Sequence, residues 1–315
     1  MPEHDIIVVG ASAGGVEALQ QLIAQFPPGL PAAVFVVLHL PPRTRSLLPE
    51  ILTRVGALPA IHPENGAAIK KGHVYIAPPD HHLVVERGHV HLSLGPKEQH
   101  HRPCINVMFR SAALAYGEQV TAVVLTGELD DGTAGLWEVK RRGGTAIIQN
   151  PEGAAFPSMP LSALREIEAD YVVDIAEMGA LLTRLASERR EGKRTTELEG
   201  AKMEPQLTDL TCPDCRGTIW EVARGNGNTR GSEFRCRVGH TFSPKGMISE
   251  HFAAQEKALY AALVALEEGA SLTTRLARQF DPPLGERLRE EAREREAQAE
   301  TIRQILKKRM SFSLD

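Results

Sequence analysis

Five short runs of apolar residues without polar alternation constrain this chain most: Asp5–Gly10 (DIIVVG), Ala33–Leu40 (AVFVVLHL), Val120–Thr126, Thr145–Gln149 and Tyr171–Asp174. A strand with one wet face alternates apolar and polar side chains. One that does not alternate is buried on both faces, as in a parallel sheet covered by helices on each side. Helical patterns fit between the runs, at Gly14–Phe26, Ser46–Arg54, Pro103–Tyr116, Gly132–Arg142 and Pro160–Ile167. The fold expected for residues 1–185 is therefore α/β, a doubly wound, mostly parallel sheet. His73–Ala77, His82–Arg87 and His89–Leu94 read instead as short strands separated by turn residues, and predict a small antiparallel insertion.

Composition closes off other classes. Hydrophobic residues make up 42% and charged residues 24% of the 315, as in ordinary globular proteins. The longest apolar stretch, Ala32–Leu38, falls far short of the ~20 residues that cross a bilayer, so no membrane insertion is expected. The N-terminus runs straight into a strand without a basic-then-apolar leader, which points to the cytoplasm. Residues 1–180 hold 13 basic and 19 acidic side chains, and residues 181–315 hold 23 and 21. Neither half has the Lys and Arg excess of a dedicated nucleic-acid binder.

Past residue 185 the text changes. Residues 186–207 are charged, lack aromatics and show no apolar period, and read as a linker. Residues 208–244 hold three of the four cysteines. Residues 245–315 carry apolar Ile248, Phe252, Leu259, Leu263 and Leu266, then Asp281-Pro282-Pro283, then Leu288, Ala292, Ala299, Ile302 and Leu306 among dense Arg and Glu. That pattern predicts a helical hairpin or a coiled coil, and with it a homodimer through the C-terminal helices.

The first chemical motif is Gly10-Ala11-Ser12-Ala13-Gly14-Gly15, between a strand and a helix. A dinucleotide loop lacks its second glycine here, and the next strand ends in His39 where an acidic residue is expected. G-x-S-x-G also fits a nucleophile elbow, and a lone Ser at a helix start is commonly only an N-cap. The neighbours decide the weighting. Ser12, His39 and Asp131 each follow the C-terminal end of an expected parallel strand, and those ends share one edge of the sheet. A Ser, a His and an Asp brought together there suit acyl transfer, and the chain order Ser…His…Asp speaks against an α/β-hydrolase.

Six segments, IIVVGASAGGVEAL (6–19), VVLHLPP (36–42), YIAPPDHHLVV (75–85), HRPCINVMFRSAA (101–113), VVLTGELDDGTAGL (123–136) and PSMPLSAL (157–164), resemble in order the catalytic domain of the chemotaxis-type protein-glutamate methylesterase, CheB. The resemblance implies Ser12 as nucleophile, His39 as general base and acid, and Asp131, ahead of its neighbour Asp130, as the orienting carboxylate. It implies hydrolysis of glutamyl γ-methyl esters on a methylated receptor or other protein, with release of methanol, and glutamine deamidation, with no catalytic cofactor. Ala13 and Glu128 are then expected at the oxyanion and Arg102 at the substrate. The loop departs from the family text at Glu128 and Leu129, where relatives have Met and Gly; Ala13, Cys104 and Asn106 stand where Thr, Ser and Asp are common. The family's receiver domain is not expected ahead of a strand that begins at residue 5. The alternative is a catalytically impaired interaction protein that works through its tail.

His81, His82, His89, His91, His100 and His101 read as a polar hairpin, and Cys104 as a buried small residue. Cys212-x-x-Cys215 followed by Cys236-x-x-x-His240 supplies four soft ligands in two pairs, the pattern of a structural zinc ribbon. A segment this short has little core without metal. Arg216, Arg224, Arg230, Arg235 and Arg237 make nucleic acid conceivable, but Asp214, Glu221 and Glu233 dilute them, so nucleic acid is not the expected partner.

Overall fold

The computed structural model describes residues 5–40, 46–188, 205–223 and 232–309. Most of the expected linker, and Arg224, Arg230 and the glycines between them, lie outside these. The chain forms two compact units, residues 1–246 and 247–315.

In the first unit the strands are β1 (Asp5–Ala11), β2 (Ala32–Leu38), β3 (Ala60–Ile61), β4 (Val74–Ile76), β5 (His82–Glu86), β6 (His89–Ser93), β7 (Val120–Val124), β8 (Thr145–Gln149) and β9 (Tyr171–Val173). The helices are α1 (Gly15–Ile23), α2 (Leu48–Val55), α3 (Ile105–Tyr116), α4 (Thr133–Arg141), α5 (Ser158–Glu166) and α6 (Ile175–Ser187). Seven strands make one sheet in the order β3-β4-β2-β1-β7-β8-β9, and every neighbouring pair is parallel. Burial explains the missing alternation in the sequence. Ile7, Val9 and Ala11 of β1 pack with residues of α1, α2 and α6, while Ile6 and Val8 pack with residues of α3, α4 and α5.

One expectation needs correction. Val74–Ile76 is not part of the antiparallel insertion: it pairs in parallel with β2 and extends the main sheet. The insertion is the two-stranded hairpin β5–β6, whose Leu83, Val85 and Val90 pack on the α3 side of the sheet. The helix α6 and the two-residue β3 complete the fold where the sequence suggested no element.

The same unit holds a four-stranded antiparallel sheet, β10 (Gln206–Thr211), β11 (Thr218–Ala223), β12 (Ser232–Cys236) and β13 (Thr241–Phe242). Its first strand begins inside the segment read as linker. The long helices α7 (Pro244–Leu276) and α8 (Pro282–Arg309) follow. Pro282 and Pro283, which the sequence marks as a break, open α8, where a proline's missing N–H is no loss. Among the described residues, no helix is long and apolar enough to cross a membrane.

Candidate active site

Register brings the site together. Ala11 of β1 lies opposite Leu38 of β2, and Gly10 lies opposite Val124 of β7. The chain leaves β1 and β2 at the same level, which places Ser12 beside His39, and the loop after β7 closes over both. β1 and β7 also flank the point where the sheet's strand order reverses, where ligands bind in open α/β sheets.

His39 Nδ1 lies 3.1 Å from Ser12 Oγ, and His39 Nε2 lies 2.8 Å from Asp131 Oδ2. The tautomer that satisfies both contacts carries its proton on Nε2, donates it to Asp131, and leaves the Nδ1 lone pair for the serine hydroxyl. Asp131 is the carboxylate that faces His39; the backbone oxygen of Asp130 accepts from Thr133 N. The Asp131 side chain is 2% exposed and accepts from four further donors: Ile105 N (2.8 Å) and Asn106 N (3.1 Å) at the start of α3, Gly132 N (2.8 Å), and the thiol of Cys104 (3.2 Å). Burial alone raises a carboxyl pKa. The hydrogen bond from His39 and the backbone amide bonds outweigh it, and hold Asp131 well below the usual carboxylate range. Burial, reinforced by the charge of Asp131, pushes the Cys104 thiol well up, so Cys104 is a buried donor rather than a nucleophile.

Thr126 ties the two loops of the site. Its carbonyl accepts from Ser12 N (3.0 Å), and its hydroxyl donates to Ala13 O (3.1 Å) and accepts from Phe156 N (2.8 Å). Gly127 must be glycine, because a Cβ there would meet Ser12 Cβ and Met159 Cε, each at 2.8 Å. The backbone amides of Ala13 and Glu128 make no hydrogen bond to the described residues. They remain available to an oxyanion, and Ala13 also lies just before the N-terminus of α1, where the helix dipole favours negative charge. The Glu128 side chain is exposed. Arg102 is committed elsewhere: it donates to Asp80 Oδ1 (3.0 and 2.8 Å) and to the carbonyls of Leu94 and Gly95.

One residue of the site was not singled out from the sequence. The His101 ring stacks on His39 with centroids 3.6 Å apart and planes 10° from parallel. Burial first, and the charge of His39 second, lower its pKa to about 3, so it covers His39 as a neutral ring. The only signal was its membership of the histidine cluster, whose other members divide: His82 is buried against Pro96 O, and His89 and His91 are exposed on the hairpin.

In the four-stranded sheet, the ligand atoms of Cys212, Cys215, Cys236 and His240 lie within 4.8 Å of one another. Cys215 and Cys236 sulfurs are 3.7 Å apart, too far for a disulfide at about 2.05 Å. His240 Nδ1 is 3.7 Å from Cys212 Sγ and 3.5 Å from Cys236 Sγ. Bond lengths of about 2.3 Å to sulfur and about 2.0 Å to nitrogen give tetrahedral edges of about 3.5–3.8 Å. The donor set and its spacing therefore fit a tetrahedral metal.

The chain matches the family model described as CheB methylesterase over residues 7–182. It is 38% identical over 183 residues to a protein-glutamate methylesterase/protein-glutamine glutaminase 2 of Methanosarcina mazei, covering 56% of this chain and 50% of that protein. A putative protein-glutamate methylesterase/protein-glutamine glutaminase of Leptospira interrogans is 33% identical, covering 58% of this chain and 95% of its own length. Among solved structures, the Thermotoga maritima CheB methylesterase catalytic domain superposes with a TM-score of 0.56 at 35% identity, covering 58% of this chain and all of that one. The chain spans about half the length of the Methanosarcina relatives it matches. With the family model spanning more than half of its residues, the chain belongs to the CheB methylesterase family.

Proposed function

We propose that this chain is a serine hydrolase that converts glutamyl γ-methyl esters on a protein to glutamate and methanol, and that can deamidate glutamine by the same route. The observation that carries this reading is the single imidazole held between Ser12 Oγ and the buried Asp131. Ser12 Oγ attacks the ester carbonyl while His39 Nδ1 takes its proton. Asp131 stabilises the resulting imidazolium, and the Ala13 and Glu128 amides receive the oxyanion. Methanol leaves with the proton returned by His39, and a water activated by the same nitrogen hydrolyses the acyl-Ser12 ester. With Cys104 and the ribbon cysteines unpaired as thiols, the cytoplasm suits the protein. The impaired-scaffold alternative is not favoured, because the Glu128 and Leu129 changes coexist with hydrogen-bonding distances throughout the Ser-His-Asp arrangement.

The Cys212, Cys215, Cys236 and His240 set would hold zinc, closing the ribbon and leaving no open position for chemistry. We also assign the exposed apolar residues of α7 to a homodimer contact.

A fluorophosphonate adduct mapped to Ser12, and lost in His39→Ala, is the expected result. Undiminished methanol release by Ser12→Ala would overturn the reading.

A further inference from the structure

The loop that carries His101 onto His39 is a tight turn closed by Glu98 and His101, whose backbone N–H groups each donate to the other's carbonyl (3.3 and 2.9 Å). Gln99 and His100 are consecutive non-glycine residues at φ 50° and 65°, in the left-handed region that side-chain-bearing residues rarely adopt. The ribbon braces this turn from outside. Gln99 N donates to Thr241 O (2.7 Å), and Gln99 Oε1 accepts from Ser243 N (3.0 Å). His100 Nδ1 lies 2.9 Å from Asp214 Oδ1. Asp214 sits between Cys212 and Cys215 in the metal knuckle. Its second oxygen, Oδ2, is buried without a hydrogen-bond partner and faces His240 Nε2 at 4.0 Å.

Such an orphaned carboxylate oxygen is explained by the metal set. With His240 Nδ1 ligating, Nε2 carries a proton, and a carboxylate is the usual group that receives it and fixes the ring. Asp214 therefore has one oxygen toward the metal ligand and one on His100, next to the residue that stacks on His39. The start of α7, directly after the ribbon, reaches the other side of the site: Lys245 Nζ donates to Ser158 Oγ (3.0 Å), and Ser162 Oγ, 3.4 Å from the same amine, donates to the carbonyl of Leu129.

We propose that the metal-loaded ribbon is a built-in clamp on the esterase site, in which Asp214 transmits metal occupancy through His100 to the loop that seats His101 on His39. Asp214 and His100 are positioning residues, and the clamped state is the active one, because the Ser12, His39 and Asp131 contacts form in it. The metal thus regulates the enzyme without touching substrate. The clamp rests on the esterase reading above for its consequence, but not for its geometry.

The test uses the full chain, loaded with zinc or stripped by a chelator. Backbone hydrogen exchange is followed over residues 96–103, and Ser12 labelling by a fluorophosphonate is followed in parallel. Stripping is expected to raise exchange in 96–103 and to slow labelling at least tenfold, both restored by zinc. Asp214→Ala, assayed with one zinc bound, should reproduce both effects, with zinc affinity weakened ~10–100-fold. Asp214→Asn, which keeps an acceptor for His100, should recover most of the loop protection. Unchanged exchange at 96–103 on stripping, or an Asp214→Ala protein with wild-type protection and labelling, would overturn the clamp. If Ser12 never labels in the zinc-loaded protein, the esterase reading fails, while the exchange data still decide the clamp.

Discussion

Asp131 keeps its charge in a fully buried place because five donors converge on it, and His101 does the opposite: burial keeps it neutral, and nothing near it supplies enough negative charge to offset that. Burial is the main cause, and the neighbouring basic groups His39, His100 and Lys97 add to it against the opposing charge of Asp131. The difference has a measurable sign. A free histidine titrates near 6.5, and folded His101 near 3. Between those values the unfolded chain binds the extra proton, so the stability from this site is complete above about pH 6.5 and is lost as pH falls toward 3. The slope is up to about 1.4 kcal/mol per pH unit. In urea titrations at pH 7 and pH 5, the wild type should lose about 1–2 kcal/mol more than His101→Phe, whose ring still stacks but cannot titrate. Equal losses in the two proteins would remove His101 from the acid response.

At the scale of elements, the loop from Thr126 to Gly132 holds a non-glycine residue in the left-handed region. Leu129 adopts φ 64° and is only partly buried. A left-handed leucine costs ~1–2 kcal/mol, more than the ~0.5–1 kcal/mol of extra chain entropy that glycine loses on folding. Leu129→Gly should therefore raise the melting temperature by a few degrees in calorimetry, and a lowered one would show that the Leu129 side chain contributes more than its strain. The long buried strands were legible in the sequence because a run of five to seven apolar residues has few other uses. Ser12, His39 and Asp131 were legible with them, since a parallel sheet delivers its strand ends to one edge. β4 was not, because three residues carry no period, and its direction depends on which strand it meets. His101 was not, because its place over His39 depends on two left-handed residues and on contacts from a sheet more than 100 residues away in the chain. Arg102 was expected at the substrate because it is a charge near the site, whereas the fold spends it on Asp80 and two carbonyls.

The second unit places a different demand on the whole molecule. Its hairpin closes mostly on small side chains: Ala270 and Thr273 of α7, Ala277 just after it, and Ala292, Ala299 and Leu306 of α8 are buried, with Arg295 donating to Thr273 (3.1 Å) and Arg303 paired with Glu267 across the helices. Alanines let two helices approach closely but bury little apolar area, at about 25 cal/mol per Å². Ile248, Phe252, Tyr260, Val264, Leu272 and Leu276 are 38–60% exposed and recur at intervals of four and eight residues along α7. Residues four apart form one ridge of a helix, and such a ridge packs into the grooves of a second helix. Glu256 and Glu268 divide this row into apolar pairs one turn apart, and such exposed pairs on a charged hairpin suit an association surface. The expected state in solution is therefore a dimer, twice the chain mass by light scattering. Phe252→Glu with Val264→Glu should return it to the monomer, with fluorophosphonate labelling of Ser12 retained. A monomeric wild type at tens of micromolar would instead leave this ridge to a partner of another sequence.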